Sequence, residues 1–538
     1  MFTDRRMFWN AIVMMASVAP AGCRDFGMGG TGERVVAIDR IRRIEPANFS
    51  PAATTQPTFV PTTQPAQLRL ALSEVRQIAL NNNLDLRAEL LSPTIQRTTL
   101  SVEQAQFEAL FTLSADAAKL DAPTASQLSG SQVQQLNVRP GLFIPLQTGG
   151  SIRVTAPMSR LSTNNTFSTL NPSYETDLTV AISQPLFRGA GTDAAAQRIR
   201  VAFYRYQQSE ARARLNVIRI LADADRAYWR LVAARQQLEL RRQELGLAEA
   251  QLDRARRQVN VGAAAEVEVT RAESGVADRV ESVIVSQNAV RDRERELKRL
   301  LNIPNVPLMG ATEIQPLTAP EPVLYAFDTP RLLSTAVQNR MEMLELELQI
   351  AEQTANVLAA RNAALPLVSL EYQYNINGLG GSLDDSLSQA SDLNYQDHRI
   401  GLTVEIPLGN AAARARLRQA LLTRVQTLAT LDSREQQIRI EVLSAIDRLN
   451  TNWQRILAAR QRVILAARVV ELESRQFEQG LRTSTDVLDA QTRLADARSS
   501  EIGALADYQI AQVDLAYATG TLLGAAAIEW SPRSDRNP

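Results

Sequence analysis

Residues 194–259 read AAAQRIRVAFYRYQQSEARARLNVIRILADADRAYWRLVAARQQLELRRQELGLAEAQLDRARRQV. The run is rich in strong helix formers and holds no proline, and proline is the residue that breaks helix interiors. One uninterrupted helix over these residues would be roughly 100 Å long at ~1.5 Å per residue. No compact domain holds such a rod, so the run predicts a coiled coil or a tunnel wall. Working outward, no proline occurs between Pro185 and Pro304, nor between Pro407 and Pro532. Each tract carries a turn-like glycine, Gly262 in the first and Gly480 in the second.

The two tracts are copies of one another. The shift that carries Gly262 onto Gly480 lays Ala227, Tyr228 and Leu231 on Ala445, Ile446 and Leu449, and Arg257-Gln258 on Arg475-Gln476. Upstream, Gln184-Pro185-Leu186 matches Ile406-Pro407-Leu408 once four residues are treated as an insertion. Earlier still, Ala79-Leu80 and Leu84-Asp85-Leu86 match Ala336-Val337 and Met341-Glu342-Met343. An internal duplication therefore spans most of residues 70–520.

Between the helical tracts lie segments of period-two alternation. Leu178, Val180 and Ile182 alternate with Thr179, Ala181 and Ser183. Ile400, Leu402 and Val404 do the same in the second copy, as do Leu370, Tyr372, Tyr374 and Ile376. Strands apolar on one face and polar on the other suit a membrane barrel with a wet lumen. Each repeat reads as helix, strand pair, long helix, glycine turn, helix, which gives four core strands per chain. Residues 120–170 exceed a simple hairpin, and Ile152, Val154 and Ala156 suggest extra strands or a long loop there. Four strands cannot close a barrel, and lipid does not tolerate open edges, so identical copies must share the wall. Three copies would supply about twelve strands.

Lys+Arg and Asp+Glu are both 58. A balanced charge argues against nucleic acid as a partner. At the N-terminus Arg5 and Arg6 precede the apolar stretch Met7–Ala19, the pattern of an export signal. Cys23 follows Pro20-Ala21-Gly22 and resembles a bacterial lipoprotein cleavage site; the alternative is an ordinary signal with an incidental cysteine. Gly27–Gly32 satisfies a dinucleotide-binding string but follows no strand and opens no helix, so it reads as linker. The organisation is thus a signal peptide with a lipidated Cys23 (1–23), a tether (24–67), a first repeat (68–310), a linker (311–330), a second repeat (331–522) and a tail (523–538).

Enzyme chemistry is not expected. His398 is the only histidine and reads as a surface or interface residue, and no phosphate-binding string exists. No cofactor and no metal are expected, and the energy for any transport must come from a partner.

The architecture over residues 68–522 resembles the TolC-like outer-membrane efflux proteins. The most specific stretch is Gly480-Leu481-Arg482-Thr483-Ser484-Thr485-Asp486-Val487-Leu488-Asp489-Ala490-Gln491-Thr492, similar to that family's periplasmic tip. Val261-Gly262 through Glu266-Val267-Glu268-Val269 is a looser match to the equivalent tip of the first copy. The resemblance implies a mainly α-helical tunnel joined to a small transmembrane β-barrel, completed by homotrimerisation. It also implies a periplasmic adaptor and an inner-membrane pump as partners, with a passive exit role in the outer-membrane lipid. Asp486 and Asp489 are then expected to form rings of carboxylates at the gate, with raised pKa values for some of them. Arg482 is expected to pair with Glu268 to hold the gate closed. Val261, Gly262, Gly480 and Leu481 are expected to meet the adaptor. Phe477 stands where the family has a tyrosine, so one closing hydrogen bond is absent. The rival readings are a periplasmic adaptor with one helical hairpin and a structural coiled-coil protein; neither accounts for two hairpins each preceded by membrane-like strands.

Overall fold

The computed structural model describes residues 67–124, 130–262, 265–308, 310, 312–479 and 481–528. Cys23, the tether, most of the tail and Gly480 therefore lie outside the described residues.

The chain opens with a short strand, β1 (Gln67–Leu70), followed by α1 (Leu72–Asn82), α2 (Leu84–Glu89) and α3 (Leu91–Gln104). The strands β2 (Leu110–Asp121), β3 (Gln132–Pro145), β4 (Ser151–Thr155), β5 (Met158–Thr163) and β6 (Ser173–Pro185) come next. After a single turn at Thr192–Ala195, the quoted run forms α4 (Gln197–Asn260), one helix of 64 residues and about 96 Å. Helix α5 (Glu266–Leu301) returns alongside it. The second copy repeats the plan with α6 (Thr329–Asn339), α7 (Met341–Ala363), β8 (Leu367–Gly380), a short α8 (Leu383–Ser391), β9 (Gln396–Glu405), α9 (Ala411–Glu478) and α10 (Ser484–Ala518). Helix α9 has 68 residues, about 102 Å.

The duplication noted in the sequence lies in the core. Ala79 and Leu86 of the first copy, and Ala336 and Met343 of the second, are all buried; so are Ala227, Tyr228 and Leu231 and their counterparts Ala445, Ile446 and Leu449. The two repeats each build a cluster around these side chains, and a third cluster joins them through Leu221, Ala222, Val513 and Leu522. The copies also share a polar device. Asn83 Nδ2 donates to the Leu300 carbonyl at 3.0 Å, and Arg340 Nη1 donates to the Ala518 carbonyl at 3.3 Å. Leu300 and Ala518 are equivalent under the same shift that relates the two glycine turns. Each bond satisfies a carbonyl in the last turn of a helix, where no intrahelical partner exists.

One expectation needs correction and another is made specific. The inter-repeat segment is more than a linker: β7 (Glu313–Pro316) pairs in parallel with β1, Gln67 opposite Glu313 and Leu70 opposite Pro316. Four-residue strands flanked by proline leave no period to read, which is why the pair escaped sequence analysis. The four core strands are joined by two more, the extra strands suggested for residues 120–170. The sheet order is β2-β3-β4-β6-β8-β9, with β5 lying between β3 and β6. Strands β4 and β5 keep one register against β3, Thr155 opposite Gly141 and Met158 opposite Val138, so they are one strand interrupted at Ala156-Pro157. Proline lacks the N–H that the ladder would use there. Among the described residues this sheet thus has six strands, four from the first repeat and two from the second. The two extra strands arise within residues 120–170.

Candidate functional site: the sheet and the helical tip

Strand pairing aligns side chains into transverse rows. One row runs Phe111, Leu142, Val154, Val180, Tyr374, His398; its neighbour runs Ile144, Ile152, Ile182, Tyr372, Ile400. On the opposite face a row runs Thr112, Gly141, Thr155, Thr179, Asn375, Asp397. Period-two alternation thus gives the sheet one apolar and one polar face along these rows. The polar face is cross-linked: Thr179 Oγ1 donates to Asn375 Oδ1 at 2.6 Å, Asn375 donates to Asn377, and Asn377 Nδ2 donates to Asp397 Oδ2 at 2.8 Å. His398 belongs to the apolar row, its Nδ1 3.0 Å from the Tyr372 hydroxyl. Such a two-faced sheet suits a boundary between hydrocarbon and water, and the long helices follow the ends of β6 and β9.

At the other end of the rods lie the two tips. Val261 and Leu481 are 78% and 71% exposed, so each tip presents an apolar side chain to solvent. Gly262 turns the first tip with φ +72, a left-handed backbone that glycine adopts without strain. In the second tip Thr483 caps α10. Its Oγ1 accepts from the Asp486 N–H at 3.4 Å, and the Asp486 carboxylate accepts from the Thr483 N–H at 3.0 Å and from its hydroxyl at 2.8 Å. These bonds, backbone first, hold the Asp486 carboxyl below the usual carboxylate range. The like-charge rise expected at the gate belongs to a ring of several copies, whereas within one chain capping by Thr483 governs Asp486. Asp489, one turn further on, is exposed, and no hydrogen bond or ion pair with another described residue engages it.

Arg482 and Glu268 are not brought together within one chain. Arg482 Nε donates to Gln476 Oε1 at 3.1 Å and lies 3.2 Å from Glu473 Oε2, tying the end of α9 to its own turn. Glu268 Oε1 pairs with Arg271 at 2.8 Å, while its Oε2 is withdrawn from solvent and has no hydrogen-bond partner.

Sequence analysis missed a charged belt midway along the rods. Arg340 pairs with Glu342 at 2.6 Å and with Glu441 at 3.0 Å, and Arg434 bonds both acids. Arg226 binds Asp514 at 2.7 Å and Asp223 at 2.9 Å. Arg226 and Arg340 both lie against the Tyr517 ring, 5.6 and 5.4 Å from its centroid. Burial alone would raise the Glu342 pKa, but the Arg340 hydrogen bond and charge lower it below the ordinary value. The partners are scattered along the sequence, so residue order gave no sign of the belt.

The family profile described as "Outer membrane efflux protein" matches residues 151–302 and 332–521, one match in each repeat. The chain belongs to this family. The outer-membrane channel reading therefore prevails over the adaptor and coiled-coil alternatives. Among relatives, the outer membrane protein TolC of Vibrio cholerae is 24% identical over 305 residues, 55% of this chain and 66% of that protein. The outer membrane efflux protein BepC of Brucella suis is 24% identical over 446 residues, 81% of this chain and 91% of that protein. The fold is that of solved outer-membrane channels: the CmeC channel of Campylobacter jejuni superposes with a TM-score of 0.62 at 16% identity, over 84% of this chain and 86% of that one.

Proposed function

We propose that three copies of this chain form an outer-membrane channel that gives solutes or secreted substrates a passive exit. An inner-membrane pump drives the flow, and a periplasmic adaptor couples the pump to the apolar tips at Val261 and Leu481. The observation that carries this reading is the two-faced sheet with both edges open: in hydrocarbon it must be closed by further copies, because unpaired backbone groups have no water to bond. Gly262, which turns the first tip, and Gly480 belong to the surface that meets the adaptor. Cys23 carries a lipid that anchors the mature N-terminus to the membrane.

At the gate, Asp489 supplies a ring of carboxylates, with Asp486 beside it as a helix cap. Glu268, whose side chain is partly exposed beside Arg271, is the acid that Arg482 of a neighbouring copy would bind to close the gate. The test is bilayer conductance of the detergent-extracted protein whose mass has been measured. Three copies and a low basal conductance that rises in Arg482→Ala are expected. A monomer that stays in solution without detergent would overturn the channel, and an unchanged conductance in Arg482→Ala would overturn the lock.

A further inference from the structure

The sheet ends on β2 and β9, and among the described residues neither has a second neighbour within the chain. They are its most solvent-open strands, with Leu113 and Leu402 each 63% exposed on the apolar face. Successive strands along the sheet are antiparallel, so β2 and β9, first and last of six, run in opposite directions. Strand β9 of one copy therefore meets β2 of the next in the same antiparallel sense, and the contact repeats head to tail until a ring closes.

The extra strands are part of this wall. Strand β3 and the β4–β5 strand lie between β2 and β6 in the sheet order. Their Leu142 and Val154 continue the apolar row, and Gly141 and Thr155 the polar one. Their connecting turn is stitched to the base of the sheet: the Gly191 N–H donates to the Thr148 carbonyl at 2.9 Å, and Thr148 Oγ1 donates to Gln184 Oε1 at 2.8 Å. At Gly149 (φ +85) a Cβ would fall 2.0 Å from the Gly189 carbonyl oxygen, so only glycine fits this approach.

We infer that the free edges of β2 and β9 are docking surfaces for neighbouring copies of this chain, and that the three-copy channel closes an eighteen-stranded barrel in place of a twelve-stranded one. The inference rests on the three-copy reading above and adds the width of the pore. With strands ~4.8 Å apart and tilted ~40°, a closed barrel of eighteen strands is about 36 Å across, against about 24 Å for twelve. Subtracting about 5 Å of side chain from each wall leaves bores of about 26 and 14 Å. The outer mouth thus admits cargo roughly twice as wide.

The experiment uses the full chain and a variant lacking residues 122–163, in which β2 turns directly into β6 through residues 164–172. Three readings are taken: the detergent-corrected mass, disulfide formation by Leu402→Cys paired in turn with Phe111→Cys, Leu113→Cys, Ala115→Cys or Ala117→Cys, and the largest polyethylene glycol that enters from the outer face in bilayers. Single-cysteine proteins control for Cys23. A mass of three copies, disulfide-linked trimers from at least one pair and a polymer limit that falls about twofold in the deletion variant are expected. If the deletion variant fails to fold, the cross-links and the polymer limit of the full chain decide. Three copies without any β9–β2 cross-link, or with a limit near 14 Å in the full chain, would overturn the wide barrel and leave the channel standing. Two copies would overturn the three-copy reading as well.

Discussion

Asp486 and Asp489 sit one helical turn apart at the same tip, yet they do different work. Asp486 spends its carboxylate on Thr483, and this contact is why its pKa is lowered. Asp489 is exposed and keeps its charge free of any described partner. Cation attraction at a ring of identical copies should therefore fall mainly on Asp489. Asp489→Asn is expected to weaken block of bilayer conductance by a multivalent cation about tenfold, with Asp486→Asn changing it far less. Equal effects of the two substitutions would refute this division of roles.

At the scale of elements, α1 is held to α4 by a buried ion pair. Arg76 Nε and Nη2 bind the two oxygens of Asp225 at 2.9 and 2.8 Å, and the Asp225 side chain is wholly buried. Burial pushes the Asp225 carboxyl up, and Arg76 pulls it back only in part. The second copy does without the pair: the corresponding positions hold Leu333 and Leu443. A buried pair is costly to break and often neutral to replace by apolar groups. Arg76→Leu alone is expected to cost about 3–5 kcal/mol, and Arg76→Leu with Asp225→Leu to recover most of that, read from unfolding midpoints in detergent. A double variant no more stable than the single one would show that the second copy is a poor guide to the first.

For the whole molecule, the belt around Arg340 and Tyr517 matters because it ties α4 of the first repeat to α7, α9 and α10 of the second. Glu342 has a lowered pKa, so folding favours its ionised form. Its contribution is present above the unfolded carboxylate pKa and is lost as pH falls through the lowered folded value. Thermal stability is expected to decline over that acidic window, and Glu342→Gln should lower stability at neutral pH while flattening the acid limb. An acid limb unchanged in Glu342→Gln would place the sensitivity elsewhere.

The rods, the duplication and the two-faced strands were legible from residue order because each depends on local periodicity. Helix propensity without proline dictates α4 and α9, and the residues that match between copies include a set that both cores bury. The tip turn at Gly262 was visible for the same reason, since a left-handed backbone selects glycine. The partners of Arg482 and Glu268, the parallel β1–β7 pair and the Arg340 belt were not, because their members meet only after distant segments pack. Strand number belonged to both: alternation at Ile152, Val154 and Ala156 marked residues 120–170 as β-prone, but only pairing showed two further strands inserted between β2 and β6. Period is written along the chain, whereas neighbours are chosen by the hydrogen bonds and buried surface that form across it.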